Sequence, residues 1–512
     1  MPDPAPLPPP LRDEPANRRL ASAVRPAGWP VPEPPPAGYD LVVIGGGTAG
    51  LVAAHGAAGL GARVALVERH LLGGECLNAG CVPSKALLAQ AHRLHAAGAA
   101  PDAAAFAAAL AAARAARAEM APHDSAARLR AVGVDVYFGQ ARFEGPERLA
   151  ASGRSFRFGR AILATGARDR VPPIAGLEVA RALFPAQAFE LVERPDQLIV
   201  LGGGAVGCEL AQAFARLGSN VTLVERADAL LPDEEPDAGR LVADALADDG
   251  VRVRTAARTV RAEPIGAGVR LHLETADGEA AVVEGALLIA AGRLPALDGL
   301  GLEAAGVAVA DGRPLADDHL QTTNARVFVA GDASPAGGTT HAADATARLA
   351  VQNALFAGRK RASLLTLPRA VYTAPEVASV GLSPEAAAAL GTVVVTYEQP
   401  MAEVDRARLD GTPAGFLRVH VARGSDRVVG ATAVAAGAGE LIALVTLVID
   451  RNIGLQALST LALPYPTRAQ ALTRVADQHM RARLTPPVQG VLRAWFAVRR
   501  LGRTAAPAEE PA

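Results

Sequence analysis

The segment YDLVVIGGGTAGLVAAHGAAGLGARVALVER, residues 39–69, joins a buried strand pattern to a glycine turn, a helix pattern and a second strand. The turn, residues 45–50, has the spacing G-x-G-x-x-G, and its candidate cofactor-binding residues are Gly45, Gly47, Thr48, Ala49 and Gly50. Such glycines permit a tight turn and let a pyrophosphate approach the N-terminus of a helix. Glu68, at the end of the second strand, can accept hydrogen bonds from a ribose. The segment therefore predicts a dinucleotide-binding βαβ unit.

The same pattern returns in residues 197–226, QLIVLGGGAVGCELAQAFARLGSNVTLVER, so two dinucleotides are expected. Its glycines are Gly202, Gly204 and Gly207. Glu225 ends the second strand and would repel a 2′-phosphate, which favours NADH; the adjacent Arg226 leaves NADPH open. Cys208 lies on the helix of this unit and is interpreted as a small packing residue.

Two of the three cysteines lie close together in GGECLNAGCVPSK, residues 73–85. A chain with so few cysteines is not held together by disulfides, so the pair of Cys76 and Cys81 indicates redox exchange or metal capture. A zinc site would need a second Cys or His pair nearby, and this stretch has none. Redox exchange is therefore the favoured interpretation.

The residues after Cys81 predict a helix that begins at this cysteine, because Pro83 falls in the first turn and apolar residues follow. Unpaired N–H groups and the helix dipole stabilise a thiolate there, so Cys81 is predicted to be the more stable thiolate. Lys85 adds an ammonium beside the pair. Only Lys85 and Lys360 are lysines among 51 basic residues, which favours a specific role for Lys85 over a surface one.

Composition limits the classes of function. The chain has 512 residues, half of them hydrophobic, and a formal net charge of -1. This length predicts about three domains, and the charge implies neither a nucleic-acid nor a membrane surface. The longest uncharged apolar runs, 103–113 and 441–449, fall short of the roughly 18 residues that span a bilayer. Without an export signal, the expected location is the cytoplasm.

Three further strand patterns end in small or acidic residues suited to ligand binding. RAILATGA ends at Ala164, Thr165 and Gly166, and another strand ends in a turn at Gly292. VFVAGDA ends at Gly331 and Asp332. Asp332 would lie at the carboxyl end of a parallel strand, where it could hold the ribityl chain of a flavin. His341, in the helix predicted to follow, is a weaker candidate for a catalytic base.

The predicted fold class is α/β, with two Rossmann-like domains, for FAD and NAD(P), and a C-terminal α+β dimerisation domain. The predicted divisions are a proline-rich, disordered arm at 1–38, a first FAD segment at 39–188, an NAD(P) domain at 189–290, a central FAD segment at 291–360, a dimerisation domain at 361–485 and a tail at 486–512. Apolar residues Leu20, Val24 and Trp29 could dock the second half of the arm.

Across residues 39–485 the sequence resembles the FAD-dependent pyridine nucleotide disulfide oxidoreductases. GGECLNAGCVPSK, ATGA, GGGAVGCE, VFVAGDA and VYTAPEVASVGL match in order. HLLGGECLNAGCVPSKALL and LPYPTRAQAL resemble mercuric reductases in particular. The resemblance implies that NAD(P)H reduces the flavin, which reduces a Cys76–Cys81 disulfide. It makes Cys81 the charge-transfer thiol and Cys76 the interchange thiol, pairs Lys85 with Glu209, and implies a homodimer.

The sequence departs from the family pattern near its C-terminus. Lipoamide and glutathione reductases carry a His-Pro and a later Glu that serve as base and acid across the dimer. Here the positions are Tyr465, Pro466 and Gln470, and a tyrosine is what mercuric reductases have. The C-terminal cysteine pair and N-terminal metal-capture cysteines of mercuric reductases are also missing, because the third cysteine is Cys208.

Three functions follow as hypotheses. The favoured one is electron transfer from NAD(P)H through FAD and the dithiol to a small thiol-reactive acceptor or a soft metal ion such as Hg(II), since two thiolates can bind a soft ion. The second is a dihydrolipoamide dehydrogenase or related disulfide reductase in which Tyr465 replaces the base. The third, of another class, is a redox-sensing or electron-carrying module with a protein or quinone acceptor.

Overall fold

The structure, a computed structural model, describes residues 11–501 except Ala267, Ala276 and Ala357. The chain divides into two compact units. The first runs to Leu367 and includes Val371–Thr373, and the second comprises Pro368–Ala370 and the chain from Ala374 onward. The mixed α/β class predicted from the sequence is confirmed.

The first unit contains a sheet whose parallel core places the strand of the first glycine motif at its centre. Tyr39–Ile44 pairs with Val64–Glu68 on one side and with Arg154–Leu163 on the other. The outer strands are Val134–Phe138, Val327–Val329, Arg148–Ala151 and Arg142–Gly145. Its helices are Thr48–Gly59, Gly74–Asn78, Cys81–Ala96, Ala103–Met120, Ala126–Ala131 and Thr340–Leu355, with short 3₁₀ turns at Ala121–Asp124, Gly331–Ala333 and Ala362–Leu364. Near-continuous burial of the central strands is what a parallel sheet covered on both faces requires.

A second sheet in the same unit repeats this arrangement around Gln197–Leu201. That strand pairs in parallel with Asn220–Val224 and Ala280–Ile289. The remaining strands are Arg252–Arg254, Gly268–Glu274, Arg258–Ile265 and Ala182–Leu183, and the helices are Pro185–Ala188, Ala205–Arg216 and Pro236–Asp248, with a 3₁₀ turn at Leu177–Val179. Two small ladders join Ala167–Asp169 to Arg293–Pro295 and Val309–Ala310 to Arg313–Pro314.

The second unit is built on an antiparallel sheet. Its strands, in spatial order, are Arg369–Val371, Glu376–Gly381, Val428–Ala435, Phe416–Ala422 and Val394–Pro400. Its helices are Pro384–Ala389, Asp405–Leu409, Ala438–Asp450, Leu455–Leu458, Gln470–Ala482 and Pro486–Leu501, with a 3₁₀ turn at Met401–Glu403. Val445, Leu472 and Val475 from these helices join the core of this sheet.

The N-terminal arm differs from its prediction. Residues 1–10 lie outside the described residues, but Pro15–Val24 forms a helix instead of disordered chain. The prediction missed this helix because the prolines were read as a sign of extended chain. Pro15 occupies the first position of the helix, where a backbone N–H is not needed. The predicted docking residues do pack, because Leu20 and Val24 are fully buried and Trp29 Nε1 donates to the carbonyl of Val136 at 3.1 Å.

Within the predicted C-terminal tail, Pro486–Leu501 is a helix of 16 residues. The rest of the predicted tail, 502–512, lies outside the described residues. The two prolines fall at the start of the helix, where they are tolerated. Large side chains of this helix, including Trp495 and Phe496, are exposed.

The search of the described helices for a membrane span found none with sufficient length and apolar character.

Replacing Leu20 with alanine tests whether the N-terminal helix belongs to the core. Leu20 is fully buried, so Leu20→Ala should lower the free energy of unfolding by about 2–5 kcal/mol. Leu60→Ala is the matched control, because Leu60 is 64% exposed and its loss should cost about 0.5 kcal/mol or less. Urea unfolding of both variants measures the difference, and equal midpoints would show that the helix adds nothing to the core.

Candidate active site

The two cysteines lie on two consecutive helices beside the first glycine turn. Cys76 is on the helix Gly74–Asn78, and Cys81 is the first residue of Cys81–Ala96, as predicted. Gly74 has a φ of +55°, and a Cβ added to it would lie 2.6 Å from the Cα of Gly47. Only glycine therefore lets the cysteine segment pack against the turn that is predicted to hold a dinucleotide.

The pKa values of the two thiols are shifted in opposite directions because the thiols interact with each other. Both are present as thiols, and the main influence on the pKa of each is a hydrogen bond between the two side chains. This bond is the main cause that lowers the pKa of Cys81, to about 6, against a smaller opposing effect of burial. The same bond, with burial and the charge of Asp124, raises the pKa of Cys76. Cys81 is therefore the thiolate and Cys76 the protonated partner near neutral pH.

Two further groups favour the Cys81 thiolate. The hydroxyl of Thr340 lies 3.2 Å from its sulfur, within hydrogen-bonding distance. The positive charge of Lys85, one turn along the same helix, also lowers the pKa of Cys81, whereas the carboxylate of Glu209 acts in the opposite direction. The position of Cys81 on the first turn adds the unpaired N–H groups of the helix start.

Lys85 joins the cysteine helix to the second nucleotide unit. Its Nζ lies 2.7 Å from Oε2 of Glu209, which is on the helix Ala205–Arg216 and almost fully buried. The other carboxylate oxygen of Glu209 accepts a hydrogen bond from the backbone N–H of Tyr372 at 2.9 Å. The ammonium also lies 4.6 Å from the centroid of the Tyr372 ring. A buried carboxylate is thus satisfied at both oxygens.

The first glycine turn fits a pyrophosphate. Gly45 has a φ of +104°, and a Cβ on Gly50 would lie 1.8 Å from the carbonyl oxygen of Gly45. The helix that starts at Thr48 is capped by Gly47 with no side-chain hydrogen bond, so its first N–H groups remain for an anion. A dinucleotide such as FAD is therefore compatible with this turn.

A pocket beside this turn offers polar groups for the rest of that ligand. Its lining includes Gly45, Glu68 and Thr165. The hydroxyl of Thr165 is buried without a hydrogen-bond partner among the described residues, which marks it as a group that awaits a ligand. Glu68 accepts hydrogen bonds from the N–H groups of Gly46 and His70, both at 2.6 Å. Each carboxylate oxygen retains capacity for a further bond, such as one from a ribose.

Three other predicted cofactor residues lie at strand ends of the first unit. Gly166 follows Arg154–Leu163 and has a φ of +66°. Gly331 begins the short turn after Val327–Val329, and its N–H donates to Thr346. Asp332 accepts a hydrogen bond from the N–H of Gly338 at 3.0 Å.

The second glycine turn repeats the geometry of the first. Gly202 has a φ of +114°, and a Cβ on Gly207 would lie 1.8 Å from its carbonyl oxygen. A Cβ on Gly204 would meet nothing within 4 Å, so the space before the helix is open. Glu225 accepts from the N–H groups of Gly203, at 2.6 Å, and Ala227, at 2.7 Å.

Gly292 lies three residues beyond the end of its strand. The strand Ala280–Ile289 stops earlier, and Gly292 follows in the turn with a φ of +97°. Its carbonyl accepts a hydrogen bond from the N–H of Arg170.

The structure adds two active-site residues that the sequence interpretation missed. Thr340, and not the neighbouring His341, is the residue beside Cys81; His341 is exposed and hydrogen-bonded to Thr339. Asp124 lies against the cysteine segment, since a Cβ on Gly73 would be 2.9 Å from its Oδ2. Burial raises the pKa of this carboxyl group. Neither residue belongs to a motif, and both are distant in sequence from the cysteines, so no local signal could identify them.

The remaining candidates do not join this group within the first unit. Cys208 is fully buried and its Sγ donates to the carbonyl of Gly203 at 3.3 Å, and burial raises its pKa, consistent with packing. Tyr465 belongs to the second unit. It is 69% exposed, and its hydroxyl donates to Asp405 at 3.3 Å. The amide oxygen of Gln470 is buried without a partner among the described residues.

Two glycine turns suited to dinucleotides, together with a pair of thiols whose pKa values are shifted in opposite directions, define a nicotinamide- and flavin-dependent dithiol oxidoreductase. Comparison with known families agrees: the family model of pyridine nucleotide-disulphide oxidoreductases matches residues 39–348, and that of their dimerisation domain matches residues 367–476. The chain belongs to the pyridine nucleotide-disulphide oxidoreductase family.

Relatives of this chain carry more than one name. A mercuric reductase from Streptomyces lividans is 34% identical over 457 residues, covering 86% of this chain and 96% of that protein. A dihydrolipoyl dehydrogenase from Thermus scotoductus is also 34% identical, over 453 residues, covering 86% and 97%. Among solved structures, the HOCl-induced flavoprotein disulfide reductase RclA from Escherichia coli has a TM-score of 0.75 and 29% identity, covering 86% of this chain and 99% of that one.

The pH dependence of alkylation tests the hydrogen bond between the thiols. In the reduced enzyme, iodoacetamide should modify Cys81 with a midpoint near pH 6, because the thiolate that reacts forms as pH rises through its pKa. Cys76→Ser replaces the hydrogen-bond donor of a thiol with that of a hydroxyl, whereas Cys76→Ala removes it. The midpoint should therefore move to higher pH in Cys76→Ala, by about one unit or more, and less in Cys76→Ser.

Mass spectrometry identifies the modified cysteine in each sample. Cys208 should remain unmodified in all of them, because it is fully buried. A midpoint near pH 8.5, the ordinary range of a cysteine thiol, in the unsubstituted enzyme would contradict the assignment of Cys81 as the thiolate.

Proposed function

We propose that this enzyme transfers electrons from NADH through FAD to the pair of Cys76 and Cys81, and from there to a small thiol-reactive acceptor or a soft metal ion such as Hg(II). Bound FAD would supply the two-electron carrier that takes a hydride from the nicotinamide and reduces the disulfide. The single observation that carries the proposal is the thiol pair of unequal acid strength beside the first glycine turn.

Different residues of the site would bind FAD and keep a positive charge beside the thiolate. Gly45, Gly47 and Gly50 would hold the pyrophosphate of FAD, with Glu68 and Thr165 at the same pocket. Lys85, fixed by Glu209, would keep a positive charge beside the reacting thiolate.

The two thiols would have different roles in the transfer of electrons to the acceptor. Cys76 keeps its proton near neutral pH and would attack or bind the acceptor after losing it, with Cys81 as the thiolate that re-forms the disulfide. Two electrons leave when the S–S bond forms. They would reduce Hg(II) to Hg(0), or a disulfide to two thiols with uptake of two protons.

The residues near the C-terminus favour an acceptor that needs no proton donor. Reduction of a small disulfide requires protons, and Tyr465 and Gln470 stand where family disulfide reductases have a histidine and a glutamate. Removing general acid-base assistance typically slows a reaction about 10²- to 10⁴-fold. Reduction of a soft metal ion has no such requirement.

The named relatives support both this proposal and one alternative. Mercuric reductases and dihydrolipoyl dehydrogenases are similarly close in sequence, and RclA has also been solved as a Cu(II) complex. The alternative is therefore a dihydrolipoamide dehydrogenase or related disulfide reductase that uses Tyr465 in place of the histidine. An electron-carrying module with a quinone or protein acceptor is a third outcome, to be separated by assay.

The proposed assembly is a homodimer formed through the region that matches the dimerisation-domain family, residues 367–476. The proposed location is the cytoplasm, where a reducing environment suits a dithiol.

A panel of acceptors tests the proposed function. With NADH, Hg(II) should be reduced faster than lipoamide, oxidised glutathione or quinones. Turnover of dihydrolipoamide within about tenfold of ordinary dihydrolipoamide dehydrogenases would contradict it, because that deficit is smaller than a missing acid-base group should cause. Stimulation only by quinones or proteins would favour the third outcome.

Cysteine substitutions test whether electrons reach the acceptor through the thiol pair or directly from the flavin. Cys76→Ser should abolish acceptor turnover while NADH still bleaches the flavin absorbance. Cys208→Ser is the matched control: a serine can keep the hydrogen bond to the carbonyl of Gly203, and activity should be unchanged. Unchanged turnover in Cys76→Ser would show that electrons leave without passing through the pair.

The preference for NADH tests the interpretation of Glu225. The unsubstituted enzyme should use NADH with higher kcat/KM than NADPH, and Glu225→Gln should reduce that ratio by about tenfold, because it removes the charge that repels a 2′-phosphate. Glu284→Gln, on the strand Ala280–Ile289 of the same sheet, is the control and should leave the ratio unchanged. Equal efficiency with both nicotinamides before any substitution would contradict the interpretation.

A further inference from the structure

The N-terminal segment attaches to the cysteine segment from both sides. The N-terminal strap is defined here as residues 11–29, and it lies entirely before the family match, which begins at residue 39. It includes the helix Pro15–Val24 and is anchored by the fully buried Leu20 and Val24. Its position is therefore a feature of this chain that the family match does not cover.

The first attachment lies just before Cys76. The carbonyl of Val24 accepts a hydrogen bond from the N–H of Leu72 at 3.2 Å. The guanidinium of Arg25 donates to the carbonyls of Arg69, at 2.7 Å, and His70. These bonds join the strap to the chain that runs from the end of the strand Val64–Glu68 into the glycine turn before the cysteine helix.

The second attachment lies just after Cys76 and passes through a buried arginine. Arg117 is 1% exposed, and its Nη2 donates to the side-chain oxygen of Asn17 in the strap at 2.9 Å. Its Nη1 donates to the carbonyl of Asn78, the last residue of the Cys76 helix, at 2.8 Å. Glu190 completes the group, pairing with Arg117 and accepting a hydrogen bond from Asn17 at 2.8 Å.

A buried guanidinium holds its neighbours firmly because each lost partner leaves a desolvated donor. Asn78 transmits this restraint to the cysteine turn. Its Nδ2 donates to the carbonyls of Leu72, at 3.0 Å, and Gly74, at 2.7 Å, so the start and the end of the cysteine helix are tied together. The chain on both sides of Cys76 is thus fixed by contacts that begin in the strap.

We propose that the N-terminal strap and Arg117 are positioning elements that hold Cys76 in place beside Cys81. They act through the backbone at Arg69–Leu72 and at Asn78 and do not touch the reacting sulfur atoms. The inference depends on the proposed redox role of the pair for its importance, but not on the acceptor or on the choice of nicotinamide.

The test alters each attachment separately in the flavin-loaded enzyme. Asn17→Leu keeps the branched heavy-atom skeleton but removes the acceptor for Arg117 and the donor to Glu190. Arg25→Met removes the half-buried donor at the other attachment. The thiols are reduced with a phosphine instead of NADH, so the result does not depend on electron transfer or on the proposed acceptor. The rate of Cys81 alkylation by iodoacetamide is then followed against pH.

Both variants should move the alkylation midpoint of Cys81 to higher pH by about half a unit or more, which lowers the ratio of thiolate to thiol at the original midpoint roughly threefold. The direction follows because a displaced Cys76 donates less to the Cys81 thiolate. Alkylation of Cys76 should become faster at the same time. Flavin content should remain that of the unsubstituted enzyme, since the strap makes no hydrogen bond to the glycine motif.

Arg114→Met is the matched control. Arg114 lies on the same helix as Arg117, is similarly buried, and binds Glu14 of the strap and the carbonyls of Phe189 and Leu191, but not the cysteine segment. Its substitution should leave the midpoint unchanged. An equal shift in Arg114→Met would indicate general loosening and overturn the proposal. So would an unchanged midpoint in folded, flavin-loaded Arg25→Met, whose half-buried site is less critical for folding than that of the buried Asn17.

Discussion

The chemistry of this protein depends on the pairing of two thiols, Cys76 and Cys81, the second of which lies at the start of a helix. It separates two chemically identical groups into a thiolate and a protonated thiol. Neighbouring charges maintain that difference: the ammonium of Lys85 favours the charged sulfur of Cys81, and Asp124 opposes charge on Cys76. This asymmetry suits the proposed function, in which Cys76 reacts with the acceptor and Cys81 re-forms the disulfide.

Packing fixes the two sulfurs relative to the predicted nucleotide. Gly74 touches the backbone of Gly47, so the cysteine helix and the first glycine turn are in direct contact. Lys85 then reaches the buried Glu209 in the second nucleotide unit. One short segment therefore contacts both nucleotide-binding units, at the first glycine turn and at the helix Ala205–Arg216, and the strap at residues 11–29 also holds it.

Much of this arrangement could be predicted from the sequence, because its signals are local. The glycine spacings, the carboxylates Glu68 and Glu225, and the helix start at Cys81 follow from backbone requirements within a few residues. The segment Pro15–Val24 was wrongly predicted to be disordered, because the proline in its first turn is also typical of an extended arm. It forms a helix that is stabilised by the tertiary burial of Leu20 and Val24. Asp124, Thr340 and Arg117 could not be predicted, since each reaches the cysteine segment through the tertiary fold.

The most direct test is anaerobic reduction of the oxidised holoenzyme by one equivalent of NADH, followed by quenching, alkylation and mass spectrometry. Electron transfer to the pair predicts that two cysteines per chain, Cys76 and Cys81, become alkylatable, with Cys208 unchanged. Consumption of NADH with bleached flavin absorbance and no gain of alkylatable thiols would contradict the central claim.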